Sequence, residues 1–208
     1  MMAELQVALD FLKIKDALGV AGKCKGMILE AGTPLIKSEG IRAVSELRRK
    51  FPDSVIMADL KIMDTGHLEV KLAADAGANI VTVLGAAPIE TIEEAIKAGK
   101  QFNVKIMVDL MNVENKAEKI KLIKGADYFL LHTGIDEQKT KNSFNEAEFK
   151  VIRENSRAKL AVAGGINPEN IRQILKLKPD LVIVGSAITK SKKVEKTASE
   201  LNELIHKN

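Results

Sequence analysis

The stretch VIMADLKIMDTGHLEVKLAADAGANIVTVL, residues 55–84, contains the pattern that decides the fold. A short apolar run, Val55–Ala58, is followed by a charged segment, a helix-like segment and a second apolar run, Ile80–Leu84. Strands that are apolar throughout and separated by helices are typical of a parallel sheet buried on both faces. The stretch therefore predicts one strand–helix–strand unit.

The same alternation extends over the whole chain of 208 residues. Eight such units favour closure into a barrel, whereas six or seven would favour an open doubly wound sheet. We therefore predict a (β/α)₈ TIM barrel, an α/β fold with a single domain over residues 1–208. The predicted strands are Leu5–Leu9, Met27–Leu29, Val55–Ala58, Ile80–Leu84, Lys105–Val108, Tyr128–Leu131, Leu160–Ala163 and Leu181–Val184.

Composition and charge disfavour several classes of protein. The single cysteine, Cys24, excludes an intramolecular disulfide, and residues 1–10 lack the apolar stretch of a signal peptide, so we expect a cytoplasmic protein. No uncharged apolar run approaches the ~18 residues of a membrane span, and we expect no membrane partner. The net charge is +4, but basic and acidic residues are interspersed and aromatic residues make up 3%, which disfavours nucleic-acid binding.

Polar residues close most of the apolar runs and predict where the site lies. Five runs are followed by a group that can carry charge: Asp10, Glu30, Asp59, Asp109 and His132. One acid at a strand end could be a helix cap. Four acids and a histidine at the same end of a barrel would converge at the mouth where barrel enzymes keep their chemistry. The pattern therefore favours a functional mouth.

The densest part of this pattern is a D-x-K-x-x-D motif formed by Asp59, Lys61 and Asp64. Strand alternation predicts that Asp59 and Lys61 point to the same side, while Asp64 lies in the following loop. The alternative is a lone surface ion pair, which would be worth little. A buried mouth with so many acids is costly unless a cation or substrate compensates them. We therefore predict Mg²⁺, or Mn²⁺, with Glu30 and Asp59 as ligands; no zinc-type His/Cys cluster is visible.

The remaining mouth residues have predicted roles in binding and proton transfer. Asp10 and Asp109 would bind the metal through water or bind substrate hydroxyls. His132 would be a packed core histidine if it stood alone, but facing four acids it is a candidate proton-transfer group.

Two glycine sites predict a phosphate-binding loop. Gly164-Gly165 follows the seventh run, and Gly185-Ser186 follows the eighth. Barrels commonly bind phosphate at these two positions, and glycine lets backbone N–H groups approach the anion closely. Gly-Gly alone would equally suit a plain turn, but the two sites together favour a phosphate.

These residues resemble the orotidine-monophosphate-decarboxylase suprafamily, whose mark is the D-x-K-x-x-D motif, and within it the 3-hexulose-6-phosphate synthases. At Asp109, Ile135 and Ala163 the chain follows the synthase pattern, where the 3-keto-L-gulonate-6-phosphate decarboxylases typically have Glu, Arg and Thr. It departs from the family at Met27, Asn79 and Lys139-Thr140-Lys141. The similarity is carried nearly end to end by LQVALD (5–10), EAGTPLIKSEG (30–40), ADLKIMDTG (58–66), VTVLG (81–85), HTGIDEQ (132–138), VAGGI (162–166) and VIVGSAIT (182–189).

The resemblance implies an aldolase that interconverts D-ribulose 5-phosphate plus formaldehyde and D-arabino-hex-3-ulose 6-phosphate through a metal-stabilised enediolate. It implies Lys61 and His132 as catalytic groups, together with Asp59 and Asp64, and Thr33 among the substrate-binding residues. It also implies a homodimer in which Asp64 serves the partner's site. The alternatives are 3-keto-L-gulonate 6-phosphate decarboxylation and a sugar-phosphate-binding barrel without catalysis.

Overall fold

The computed structural model describes residues 3–134 and 146–207, so Ile135 and Lys139-Thr140-Lys141 lie outside the described residues. Eight parallel strands pair in chain order, and β8 pairs with β1 to close a barrel. The prediction of a (β/α)₈ barrel is confirmed. The strands are β1 (Glu4–Leu9), β2 (Ile28–Ala31), β3 (Ile56–Ile62), β4 (Ile80–Leu84), β5 (Lys105–Asp109), β6 (Tyr128–His132), β7 (Lys159–Ala163) and β8 (Leu181–Val184).

Helices surround the barrel and connect consecutive strands. Within the two described ranges, no helix is long and apolar enough to cross a membrane. The helices are α1 (Ile14–Ala21), α2 (Thr33–Glu39), α3 (Arg42–Lys50), α4 (Gly66–Asp75), α5 (Ile89–Phe102), α6 (Lys116–Leu122), α7 (Glu146–Asn155), α8 (Ile171–Leu175), α9 (Ser186–Thr189) and α10 (Val194–His206).

Side chains along the strands alternate between two apolar cores. Outward residues such as Val108 and Phe129 belong to the larger core between strands and helices, whereas inward residues such as Met107 and Leu130 fill the barrel. Because the side-chain period of a strand is two, the residue two positions after an inward apolar residue again faces inward, nearer the mouth. This rule places the polar residues described below.

Four strands extend past the C-terminal ends of their predicted apolar runs. Glu30 lies within β2, Asp59 and Lys61 lie within β3, Asp109 lies within β5 and His132 lies within β6, rather than after these strands. Backbone pairing continues past the apolar residues because the charged side chains point into an open cavity, where they do not interrupt the sheet.

One glycine is required by close packing of the helices beside the site. Gly66 begins α4 and is buried, and a side chain there would collide with the carbonyl oxygen of Thr91 in α5. The glycine therefore lets the start of α4, directly after the D-x-K-x-x-D motif, lie against α5.

Candidate active site

Six polar side chains occupy inward positions near the C-terminal mouth of the barrel. A cavity of about 810 Å³ opens at this end of the barrel. Thr82 and Asp109 are fully buried and bond to residues that line the cavity. The six residues are Asp10, Glu30, Asp59, Thr82, Asp109 and His132, and all except Thr82 were predicted from the sequence to lie at the mouth.

Asp59 is the centre of the hydrogen-bond network, and both of its carboxylate oxygens accept hydrogen bonds. Thr82 Oγ1 donates to Oδ1 over 2.8 Å, and Thr33 Oγ1 donates to Oδ2 over 2.7 Å. The ammonium of Lys61 lies 2.8 Å from Oδ2 and 3.1 Å from Oδ1. These contacts fix the carboxylate between two hydroxyls and a cation.

Lys61 reaches the cavity through an irregular backbone. Its φ angle is +47°, in the left-handed region, and the β3–β4 register shifts between Ala58 and Ile62. Asp59 and Lys61 do meet on one side, as predicted, but regular alternation alone does not produce this geometry. The Lys61 ammonium also lies 3.3 Å from Asp109 Oδ2.

The charge of Lys61 is stabilised by its acidic neighbours. Burial lowers the pKa of Lys61, but the charges of Asp59 and Asp109 outweigh it and raise the pKa above its usual value. The side chain therefore remains an ammonium throughout the neutral range.

His132 and Asp109 form an oriented pair. His132 Nδ1 lies 2.9 Å from Asp109 Oδ2. Burial raises the pKa of Asp109, but the hydrogen bond and charge of His132, and the charge of Lys61, lower it below its usual value. Because an ionised carboxylate only accepts hydrogen bonds, Nδ1 is the nitrogen that carries the proton. Nε2 accepts no bond from the described parts of the chain, and His132 lines the cavity.

Glu30 is a buried acid with one oxygen available. Gln6 Nε2 donates to its Oε2 over 2.5 Å, and within residues 3–134 and 146–207 no donor bonds to Glu30 Oε1. The buried Oε1 of Gln6 also has no partner in these residues. Burial, and then the charges of Asp59 and Asp10, raise the pKa of Glu30 well above its usual value. Crowding with Asp10 and Asp59 therefore disfavours the ionised form of Glu30 unless a further cation is bound.

The donor set fits a hard divalent cation. Among the described residues, no three His, Cys, Asp or Glu side chains converge as a complete metal-binding group. Mg²⁺ does not require such a group, because it commonly keeps several waters and binds through one or two carboxylates. Glu30 Oε1 is available for such a contact, and Asp59 is a near electrostatic neighbour.

Four backbone N–H groups that find no partner among the described residues belong to residues along another part of the same cavity. Gly164, Gly165, Gly185 and Ser186 line it, and in the described chain their N–H groups donate no hydrogen bond. Gly164 has a φ of +110°, and a side chain there would collide with the carbonyl of Thr133. Backbone donors without partners are suited to an anion.

Asp64 lies apart from the other predicted site residues. It is exposed, does not line the cavity, and accepts the Thr65 N–H over 2.7 Å. Met63, Leu68 and Leu72, which are near it in the sequence, are 49%, 55% and 46% exposed. The residues that the fold brings together are Asp10, Glu30, Thr33, Asp59, Lys61, Asp109, His132, Gly164, Gly165, Gly185 and Ser186.

Sequence reasoning missed four residues at or behind the mouth: Gln6, Thr82, Lys37 and Lys190. Thr82 lies two positions after the inward Ile80, so the alternation of β4 could have identified it. Lys37 and Lys190 line the cavity and form no ion pair with a described acid. Their positions on helix ends give no comparable signal in the sequence.

Comparison with known proteins agrees with this fold and mouth. Residues 3–201 match the orotidine 5′-phosphate decarboxylase / HUMPS family, and the chain belongs to this family. It is 42% identical to the 3-hexulose-6-phosphate synthase of Bacillus subtilis (strain 168), over 97% of this chain and 98% of that protein. The resemblance read from the motifs, and with it the prediction of an enzyme of this type, is confirmed.

Two solved structures have closely similar folds. The 3-hexulose-6-phosphate synthase from Salmonella typhimurium has a TM-score of 0.93 and 35% identity, covering 98% of this chain and 99% of that chain. The 3-keto-L-gulonate-6-phosphate decarboxylase from Vibrio cholerae has a TM-score of 0.87 and 28% identity, covering 100% and 99%. The fold is therefore common to both, while sequence identity is higher with the synthase.

Proposed function

We propose that the protein catalyses the reversible addition of formaldehyde to D-ribulose 5-phosphate, which gives D-arabino-hex-3-ulose 6-phosphate. The observation that carries this proposal is the His132–Asp109 pair at 2.9 Å, in which Nδ1 faces Asp109 and His132 lines the same cavity as Lys61. A base beside a fixed cation is what proton removal next to a carbonyl requires.

His132 carries the proton in both halves of the reaction. Its Nε2 takes a proton from C1 of the pentulose, and the electron pair left on C1 delocalises into the carbonyl to give an enediolate. C1 then attacks the carbon of formaldehyde, forming a C–C bond, and the formaldehyde oxygen takes the proton back from His132. Asp109 supports both steps because it fixes the tautomer and stabilises the imidazolium.

Lys61 stabilises the negative charge that develops on the substrate oxygen. Its ammonium is held by Asp59 and Asp109, so the positive charge is in place before the reaction begins. A preorganised charge of this kind costs no reorganisation as the enediolate forms. Asp10 opens into the cavity and is suited to accept hydrogen bonds from substrate hydroxyls.

The phosphate group would lie on the backbone N–H groups of Gly164, Gly165, Gly185 and Ser186. Lys190 lines the same cavity and would add a positive charge to this contact. Binding the remote phosphate fixes the reacting end of the sugar, which supplies orientation without taking part in the chemistry.

Glu30 and Asp59 would hold a Mg²⁺ or Mn²⁺ ion. When bound, the ion supplies further positive charge for the oxyanion and offsets the surplus of acids at the mouth. Asp59 already accepts bonds from Thr33 and Lys61, so Glu30 Oε1 is the more available oxygen.

The protein would work as a homodimer. Asp64 is exposed outside the cavity of its own chain, and Met63, Leu68 and Leu72, near it in the sequence, are exposed apolar residues. A second copy that covered these residues would bring Asp64 to the partner's mouth, as the resemblance implies.

The test is formaldehyde consumption by the purified chain with ribulose 5-phosphate, first with Mg²⁺ and then with EDTA. We expect consumption that EDTA suppresses. If formaldehyde is not consumed but 3-keto-L-gulonate 6-phosphate loses CO₂, the decarboxylase alternative replaces this proposal. If neither reaction occurs while ribulose 5-phosphate binds in calorimetry, the barrel is a binder without catalysis.

A further inference from the structure

Thr82 connects the two charged residues of β3 through a single hydroxyl group. Its Oγ1 accepts the backbone N–H of Lys61 over 2.9 Å and donates to Asp59 Oδ1 over 2.8 Å. Thr82 lies on the neighbouring strand β4 and is completely buried. A hydroxyl has one proton to donate and lone pairs to accept, so both bonds form at the same time.

The bond to the Lys61 backbone occurs where the strand is irregular. Lys61 has a φ of +47°, a conformation that residues with a side chain seldom adopt, and the β3–β4 register shifts around it. Regular pairing with β4 is lost there, and the side chain of Thr82 accepts the N–H that the ladder leaves free. The hydroxyl therefore replaces a backbone acceptor.

Thr82 does not line the cavity, so it has no direct contact with a bound substrate. Its second bond holds Asp59, whose carboxylate in turn contacts the Lys61 ammonium. The backbone and the head group of Lys61 are thus fixed from two directions by one buried side chain.

We infer that Thr82 is a positioning residue for the aldol reaction: its hydroxyl holds Lys61 in the left-handed backbone conformation and aligns Asp59 with the Lys61 ammonium. This inference rests on the proposed function for its kinetic consequences but not for its geometry. Thr82→Val keeps the shape and removes both hydrogen bonds, whereas Thr82→Ser keeps the hydroxyl.

The experiment compares kcat and KM of the wild type, Thr82→Val and Thr82→Ser in the full-length chain. We expect Thr82→Val to lower kcat on the order of 10- to 100-fold, as removal of a residue that orients a site group typically does. The KM for ribulose 5-phosphate should stay within about twofold, because the phosphate site is untouched. Thr82→Ser should restore kcat to within about threefold of wild type.

Thr197→Val is the matched control. Thr197 Oγ1 and Ser191 Oγ lie 2.8 Å apart, so this change also removes a hydroxyl bond, but one that does not involve Asp59 or Lys61. We expect wild-type kcat. If Thr82→Val does not fold, Thr82→Ala takes its place, because alanine also lacks the hydroxyl and is smaller. The same loss of kcat is then expected for Thr82→Ala. Wild-type kcat in Thr82→Val, or equal losses in the Val and Ser variants, would overturn the inference.

A crystal structure of Thr82→Val separates this inference from the proposed function. We expect Lys61 to leave the left-handed region or its ammonium to move away from Asp59. An unchanged Lys61 and Asp59 would overturn the inference even if the wild type is an active synthase. A changed geometry together with an inactive wild type would support the positioning role and contradict the synthase proposal.

Discussion

The two ends of the barrel use short acidic and amide side chains in opposite ways. At the N-terminal end, the side chain of the residue directly before β4, β6 or β8 accepts a backbone N–H near the start of the preceding strand, over 2.8 or 2.9 Å. These pairs are Asn79 with Ile56, Asp127 with Ile106 and Asp180 with Leu160. At the mouth, Asp10 and Glu30 lie near the charge of Asp59. Burial together with this like charge raises the pKa of Asp10 and the pKa of Glu30.

The difference shows what an acid contributes at each place. An acid that accepts a backbone N–H completes the sheet and stabilises the fold. Acids crowded at the mouth lower stability in the absence of a ligand, and they are useful only when a cation or a substrate is bound. An aspartate before a strand and an aspartate after a strand therefore have different expected roles in such a barrel.

The largest loss of activity is expected when the Lys61 ammonium is removed. Lys61→Met should lower kcat/KM for formaldehyde addition by about 10³-fold, because the developing oxyanion loses its fixed positive charge. Lys159→Met is the matched control at the other end, where Lys159 Nζ lies 5.6 Å from the Tyr128 ring centre. Steady-state assays of both variants test this, and a Lys61→Met enzyme with a tenth of wild-type activity would contradict the role of Lys61.

A smaller loss of rate is expected when His132, the proposed base, is replaced. His132→Gln should slow exchange of the C1 proton of ribulose 5-phosphate with deuterium oxide by about 10²-fold. Proton NMR without formaldehyde measures this step alone. His67→Gln is the control, since His67 contacts Gln101 on the outside of the barrel. Equal exchange rates in the two variants would remove His132 from proton transfer.

The shared site predicts complementation between two inactive variants. Lys61→Met and Asp64→Asn should each have low activity, but when mixed and allowed to exchange subunits they should recover about a quarter of wild-type activity. Half of the dimers are then mixed, and each mixed dimer has one intact site. Activity that remains at the level of the separate variants, with subunit exchange shown by mass spectrometry, would place Asp64 outside the partner's site.

The smallest effects are on stability, and they should have opposite signs at the two ends. In EDTA at neutral pH, Glu30→Gln should raise Tm by about 2 °C or more while abolishing activity. Asp127→Ala should lower the free energy of unfolding by about 1 kcal/mol and leave kcat unchanged, since Ile106 N–H loses its acceptor. Calorimetry and activity assays test both changes, and a destabilised Glu30→Gln would contradict the contrast between the ends.

The effect of Glu30 should also depend on pH. Its pKa is higher in the folded chain than the ordinary value of 4.5, so its contribution to stability is present at low pH and is lost as pH rises through the folded pKa. The stability gained by Glu30→Gln should therefore grow from acidic to neutral pH. Denaturant unfolding in EDTA at several pH values measures this, and a gain that shrinks with rising pH would contradict it.

The mouth side of this contrast could be predicted from the sequence, whereas the pairs at the N-terminal end were not predicted. The eight apolar runs predicted the barrel, and the acids that follow them predicted the mouth, because a parallel barrel places all strand ends of one kind together. The residues that close the apolar runs do not include Thr82, because the fourth run is closed by Gly85. The alternation of β4 places Thr82, rather than Gly85, beside Asp59.

Other features depend on tertiary structure and have no local signal. The left-handed backbone conformation of Lys61 occurs where the pairing of β3 with β4 is irregular. The neighbouring residues in the sequence do not require a positive φ. The bond that occupies Glu30 Oε2 comes from Gln6, a residue of another strand that is polar in an otherwise apolar run. The role of Asp64 depends on a second chain, which one sequence does not describe.

The protein should form a new carbon–carbon bond between formaldehyde and the pentulose at this mouth. The most direct measurement is carbon-13 NMR of labelled formaldehyde incubated with ribulose 5-phosphate, Mg²⁺ and the wild-type enzyme. We expect the label to appear in the terminal hydroxymethyl (CH₂OH) carbon of a hexulose phosphate, coupled to the carbon that was C1 of a labelled pentulose. We expect Lys61→Met and EDTA each to suppress this signal. Label that stays in formaldehyde hydrate, while the protein is folded and binds ribulose 5-phosphate, would rule out the aldol reaction.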